Sequence, residues 1–218
     1  SLCNNQIILT SIYYLYHPWN FDELKINIKK NKIIKKNNFL YENYESCSMI
    51  ILDLQYVNNN EEISIKYKDK TYEINLTQLN LEKNNIYCMT LFKDDYQLLD
   101  KYLEYYSMLG VDSFLIYYND IIDDELIKKI NAINKDKYNI YIFEWNFHYW
   151  WKHLNNPKHH HSQTMAINDS LNILKNYSNY ILYNDLDEYI KLNNLFNNLI
   201  ENNKDIDIFQ FKCRFCKM

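Results

Sequence analysis

The 218-residue chain contains one glycine and two prolines, and Arg214 is its only arginine. With so little glycine, its turns must be made by Asn and Asp, the non-glycine residues that best tolerate left-handed backbone. The near absence of arginine, with a net charge of -4, argues against a nucleic-acid partner, which would require a basic, arginine-rich patch. The five cysteines (Cys3, Cys47, Cys88, Cys213 and Cys216) are odd in number and irregularly spaced. That excludes a disulfide framework and favours a reducing, cytoplasmic compartment. No run reaches the roughly 18 apolar residues of a membrane span. The apolar stretch from Ile7 to Tyr16 is short, lacks a basic flank and reads as a strand. The sequence begins with Ser1 rather than Met, so an upstream anchor stays open.

Hydrophobic residues make up 47% of the chain and charged residues 24%, enough for a buried core. Tyrosine is abundant, at 22 residues, and with the many Asn, Lys and Ile it reads as a coding bias. Asn75-Leu76-Thr77, Asn168-Asp169-Ser170 and Asn176-Tyr177-Ser178 fit the glycosylation pattern, as chance allows in so Asn-rich a chain.

Residues 1–84 read as a small β-rich accessory region. Leu24, Ile26 and Ile28 alternate with polar residues, and Met49 to Val57 is a longer apolar run. Ile63 to Tyr67 and Tyr72 to Leu76 alternate on either side of Lys68-Asp69-Lys70, which predicts a hairpin. His17-Pro18-Trp19 reads as an aromatic packing corner.

From about residue 85 the pattern changes to strand and helix in turn, the signature of a parallel sheet with crossover helices. Strands are predicted over 86–92, 113–118, 139–145, 180–185 and 206–211. Helices are predicted over 95–109, closing on Gly110, over 123–134, after a Ser162 cap with Ile167, Leu171 and Leu174 inward, and around 195–200. Polar groups gather after three strands: Lys93, Asp94 and Asp95; Asn119, Asp120 and Asp123; Asp185, Asp187 and Glu188. In open parallel sheets ligands bind at that edge. Lys93, Asp94, Asn119 and Asp123 are therefore expected to line a base and ribose pocket, although Asp94 or Asp123 also fits a simple helix cap.

Asn179 to Ile190 carries the most specific pattern. An apolar strand ends in Asn184-Asp185-Leu186-Asp187-Glu188. If the strand continues, Asp185 and Asp187 share a side, and two carboxylates so close favour a cation between them. A hard divalent ion, Mg²⁺ or Mn²⁺, takes such oxygens and completes its shell with water and phosphate. Taken alone, Asp-x-Asp is more often a solvated acidic turn.

Met89 to Asp95, Leu99 to Tyr105, Leu109 to Tyr117, Ser162-Gln163 and Asn184 to Ile190, taken in order, resemble glycosyltransferase family 92 and its family-2-like relatives. The family pattern runs Lys-Asn-Glu, a helix ending Leu-Gly-Val, a strand ending Tyr-Asp-Asn, a later helical Gln, and Asp-x-Asp-Glu-Phe. The resemblance implies an α/β GT-A (Rossmann-like) fold over residues 85–218, a mainly parallel sheet with flanking helices. It also implies transfer of a hexose from a nucleotide-sugar, a UDP-sugar first, to a glycan or protein acceptor. Thr90, Lys93, Asp94, Asp95, Asn119, Asp123, Gln163 and Asp185 would then bind the donor, and Asp185 and Asp187 would hold Mn²⁺ or Mg²⁺. The chain has Asp94 and Asp95 where the family has Asn and Glu. Family members continue past the last matched strand into an acceptor half that supplies the base of inverting enzymes, so no catalytic base is assigned here.

Two function classes stay open: a metal-dependent glycosyltransferase, and an inactive relative that binds a nucleotide-sugar, glycan or protein. A phosphatase-like use of Asp-x-Asp ranks last, because the pair follows the fourth strand rather than the first. Lys158-His159-His160-His161 reads as a polar loop. Trp145 reads as core, while Trp150 and Trp151 fit packing and sugar stacking equally. Cys213 to Cys216 is a lone C-x-x-C, read as free thiols.

Overall fold

A computed structural model describes residues 2–3, 6–12, 23–28, 33–40, 47–54, 61–76, 80–133, 136–147, 149 and 161–212. His17 to Trp19, Trp150, Trp151, Lys158 to His160, Cys213 and Cys216 lie outside the described residues. The chain divides into two compact units, Ser1–Asn85 with Trp145–Asn179, and Ile86–Glu144 with Tyr180–Met218.

The N-terminal strands are β1 (Leu2–Cys3), β2 (Gln6–Ile12), β3 (Leu24–Ile28), β4 (Ile33–Leu40), β5 (Cys47–Leu54), β6 (Glu61–Tyr67) and β7 (Lys70–Leu76). They form two antiparallel sheets, ordered β1-β2-β5-β4 and β3-β6-β7. The hairpin reads as its alternation predicts. Tyr67 pairs with Lys70, which leaves Lys68 and Asp69 as the turn. Lys68 takes φ 51 in place of the glycine such a turn prefers. β4 has no counterpart in the sequence reading, because its Lys35-Lys36-Asn37-Asn38 centre lacks apolar alternation.

Next come β8 (Asn84–Phe92), α1 (Leu99–Met108), β9 (Ser113–Tyr118), α2 (Asp124–Ala132), β10 (Asn139–Glu144), α3 (His161–Leu174), β11 (Ser178–Tyr183) and α4 (Phe196–Glu201). The four-stranded sheet is ordered β10-β9-β8-β11. β8 and β10 each pair with β9 in parallel, in register from Tyr87 opposite Ser113 and Asn139 opposite Ser113. β8 and β11 are neighbours, as the alternating pattern requires.

The core explains why these segments fold as they do. On one face of the sheet Cys88, Phe114 and Ile116 cluster with Leu99, Tyr102, Leu103 and Tyr106 of α1, Leu126 of α2 and Phe196 of α4. The α1 positions recur three and four apart, so they form one stripe. Each fully buried large side chain contributes about 1.5–3 kcal/mol. The opposite face carries Tyr87, Met89, Leu115 and Tyr117, all fully buried. β8 and β9 are therefore apolar on both faces, as parallel strands are.

Two helical details differ from expectation. α3 begins at His161, so Ser162 is inside it. Its buried stripe is Ser162, Met165, Ala166, Asp169, Ser170, Ile173 and Leu174, while Leu171 is exposed. Three polar residues on the buried side masked that period. Residues 206–211 show no strand, although Phe209 lies 6.5 Å from Tyr180 and Phe211 6.4 Å from Phe196.

α1 stops where the only glycine sits. Val111 N–H bonds to Tyr106 C=O and Gly110 N–H to Ser107 C=O, each at 3.0 Å, the paired closure of a Schellman cap. Gly110 has φ +91. A Cβ there would meet only Leu195, at 3.9 Å, so the obstacle is backbone strain and not space. Gly110→Ala is expected to lower unfolding free energy by about 1–2 kcal/mol, read as a lower urea midpoint at unchanged slope.

Candidate functional site

The carboxyl edge of the parallel sheet is built by the ends of β8, β9 and β11. β8 ends at Phe92, and Lys93-Asp94-Asp95 turns at once. Asp95 N–H reaches back to Lys93 C=O at 2.8 Å, a γ-turn centred on Asp94 at φ 65. Glycine, Asn and Asp are the residues that visit positive φ most readily. An Asx residue at this position is thus favoured by the backbone, whatever its side chain binds. Asp95 then opens the short 3-10 turn Tyr96–Leu98 and accepts from Gln97 at 3.2 Å.

The end of β9 lies beside it. Asn119 is buried, and its N–H bonds to Phe92 C=O at 2.8 Å. Asp120 pairs with Lys93 at 2.5 Å and accepts from Ile121 N–H. The Lys93 hydrogen bond and charge lower the Asp120 pKa, and Asp120 in turn raises that of Lys93. Asp123 caps α2, its carboxylate accepting from Leu126 N–H at 2.8 Å. The hydroxyl of Tyr118 feels all of these groups. Burial raises its pKa, Asp123, Asp94 and Asp120 raise it further, and Lys93 opposes them. Lys93, Asp94, Asn119 and Asp123 are thus together at one edge with Asp120, and with Tyr118, which the sequence reading did not single out. Thr90, one turn of pleat before the edge, is buried. Its hydroxyl lies close enough to the Tyr102 hydroxyl to lower that group's pKa but makes no well-aligned hydrogen bond. Gln163 lies on α3, in the other compact unit, and is half-buried.

The Asp-x-Asp stretch has a geometry that strand alternation does not give. β11 ends at Tyr183, and Asp185 to Glu188 form a turn. Glu188 N–H bonds to Asp185 C=O at 3.0 Å, and the Glu188 carboxylate accepts from Asp185 N–H at 3.1 Å. Asp185 and Asp187 are therefore placed by a turn and not by a pleat. Glu188 braces that turn. Asp185 is half-buried and accepts from the Tyr183 hydroxyl at 3.2 Å, while Asp187 is exposed. Tyr189 has its pKa raised by burial and then by the charge of Asp187.

Beneath the turn lies Asn184, which is 3% exposed. Its Nδ2 carries two hydrogens shared among three acceptors, Glu188 C=O at 3.0 Å, Asp185 C=O at 3.1 Å and the Tyr106 hydroxyl at 2.9 Å. Its Oδ1 accepts from the Tyr102 hydroxyl at 3.2 Å and the Cys88 thiol at 3.4 Å. Burial pushes the Cys88 thiol up to about 12, with the Tyr102 hydrogen bond opposing.

A divalent cation fits this donor set in a limited sense. Among the described residues no three Asp, Glu, His or Cys side chains converge as a metal cage. Two turn carboxylates suit a hard ion that draws its remaining ligands from water and a diphosphate. No helix among the described residues is long and apolar enough to cross a membrane.

Two predictions follow from this geometry. Asp94→Asn should leave stability unchanged or slightly better, whereas Asp94→Val should cost about 1–2 kcal/mol, measured by urea unfolding. Cys88 is neutral in the fold but ionises from 9.0 once exposed. Above that pH the unfolded chain binds fewer protons than the native one, so stability is full below it and falls as pH rises toward about 12. Cys88→Ala should flatten the fall in urea midpoint between roughly pH 8.5 and 10.

Comparison with known proteins agrees with this edge. No curated protein matches the chain at a significant level. The family model described as Glycosyltransferase family 92 matches residues 83–215, which span every strand end described above. That match takes in more than half of the chain, so with its parallel sheet and Asp-x-Asp turn the chain belongs to glycosyltransferase family 92.

Proposed function

We propose that the carboxyl edge binds a nucleotide-sugar, with UDP-sugars the first candidates, and transfers a hexose to a glycan or protein acceptor, with Mn²⁺ or Mg²⁺ at the Asp-x-Asp turn. Family membership supports the transferase class. The observation that carries the finer reading is the turn itself. Asp187 is exposed, its charge is felt by Tyr189, and the backbone on either side of it, at Asp185 and Glu188, is anchored from below.

Each residue then has a task. Lys93, Asp94, Asn119 and Asp123 offer donors and acceptors for the base and ribose hydroxyls. Asp123 keeps one carboxylate oxygen beyond its cap bond for this. Thr90 and Asp95 add further donor-binding groups at the same edge. Asp187 would ligate the cation directly, and Asp185 would do so through water or would hold the ribose and sugar. A cation bound there supplies charge neutralisation as the diphosphate leaves. Stabilising that leaving group is the part of the transfer these residues perform.

Asp187→Asn should keep the fold, because the side chain is exposed and adds little packing. It should abolish the gain in UDP affinity that Mn²⁺ gives over EDTA, measured by calorimetry. Equal affinity for wild type and variant in both conditions would reduce the turn to an acidic loop and favour an inactive binding relative.

A further inference from the structure

Two side chains of the Asp-x-Asp stretch help to hold it: Leu186 is buried in the core, and the Glu188 carboxylate accepts from Asp185 N–H at 3.1 Å. Asp187, Glu188 and Tyr189 are exposed. The rest of the support is attached to the backbone of the turn from below. Asp185 C=O accepts from the Asn184 amide at 3.1 Å, and Glu188 C=O accepts from the same amide at 3.0 Å and from the Tyr106 hydroxyl at 2.9 Å. Ile190 N–H donates to that hydroxyl at 3.2 Å, and the Tyr105 hydroxyl donates to Ile190 C=O at 3.0 Å.

Tyr106 spends its full capacity here. Its one hydrogen goes to Glu188, and its two lone pairs accept from Asn184 and Ile190. The Asn184 amide cannot flip. Tyr102 donates to its Oδ1, so a flip would set an NH₂ against a donor and an oxygen against two carbonyls. The chain of constraint runs from Tyr102 to Asn184, then to the two carbonyls that bracket Asp187.

We infer that Asn184 and Tyr106 are positioning residues for the cation and diphosphate, setting where the Asp185 and Asp187 carboxylates point without touching either ligand. This rests on the proposed reading of the turn. A misplacement of about 1 Å in such a constellation costs on the order of a hundredfold. The Tyr106 ring is fully buried, 4.8 Å from Tyr102 and 5.4 Å from Tyr105. Removing the hydroxyl alone therefore leaves the core filled.

The test uses the full chain and three proteins: wild type, Tyr106→Phe and Asn184→Asp. UDP and GDP are titrated by calorimetry with Mn²⁺ and again with EDTA, and thermal midpoints are recorded. Tyr106→Phe should lose about ten- to a hundredfold in Mn²⁺-dependent affinity, keep its EDTA affinity, and melt within a few degrees of wild type. Asn184→Asp should lose more, since it puts a carboxylate oxygen against two carbonyls. If it does not fold, Tyr106→Phe decides alone. Two results overturn the inference while sparing the metal reading: unchanged affinities in Tyr106→Phe, or an equal loss with and without Mn²⁺, which marks a general structural role. A wild type that gains nothing from Mn²⁺ overturns the metal reading and this inference with it.

Discussion

One buried amide holds the site to the fold. Asn184 sits where β8, α1 and the turn after β11 meet, and its polar atoms face Cys88, Tyr102, Tyr106, Asp185 and Glu188. An amide is suited to this because it offers two donors and a two-lone-pair acceptor in one plane. A carboxylate would bring a buried charge and lose the donors, and an apolar side chain would take one hydrogen bond from each of two carbonyls and two hydroxyls. In a low-dielectric interior a fully satisfied network adds rigidity, and a half-satisfied one is costly. The chain accordingly keeps this layer neutral, with the Cys88 thiol and Tyr102 hydroxyl both held protonated by burial, and confines its charges to the turn above.

The helix that builds the core also holds the site. The rings of Tyr102 and Tyr106 pack among Cys88, Phe114 and Phe196, while their hydroxyls point at Asn184 and Glu188. Phenylalanine would fill the same volume and release the turn. The abundance of tyrosine, read from the sequence as a coding bias, thus has a structural use at these positions. The Schellman cap at Gly110 matters for the same reason, because the end of α1 fixes the register in which Tyr106 meets residues 184–190.

The sequence made the periodic elements of the second half legible. The double-sided apolar runs of β8 and β9, the stripes of α1 and α2, and the single glycine after α1 each follow from local rules. The three acidic strand ends were also legible as a cluster at one edge. Features set by tertiary contact were not. β4 is polar in sequence and becomes a strand by pairing with β5. The buried stripe of α3 includes Asp169, so its period did not show. The Asp185–Glu188 turn could not be told from a continuing strand, because bonds that anchor it come from α1, some 80 residues away in sequence. Asn184 was visible as a letter in a motif, yet no local signal marks an Asn as buried. The Lys93–Asp120 pair is likewise a product of adjacent strands. The γ-turn at Asp94 left one trace, an Asx residue after a strand.

Electrostatics connects these pieces. The edge carries Asp94, Asp95, Asp120, Asp123, Asp185, Asp187 and Glu188 against Lys93, whose charge is already engaged by Asp120. A diphosphate is strongly negative, and such an edge repels it. Proteins usually overcome that with arginine forks or with a cation, and this chain has a single arginine, far along at position 214. Under the proposed reading the cation takes the place of the missing guanidinium groups. Its ligands need to be close and rigid, because a flexible pair of carboxylates would separate to relieve their own repulsion. The rigidity comes from Asn184 and Tyr106. A charged turn anchored in the core by Leu186 thus also depends on a neutral, buried network directly under it.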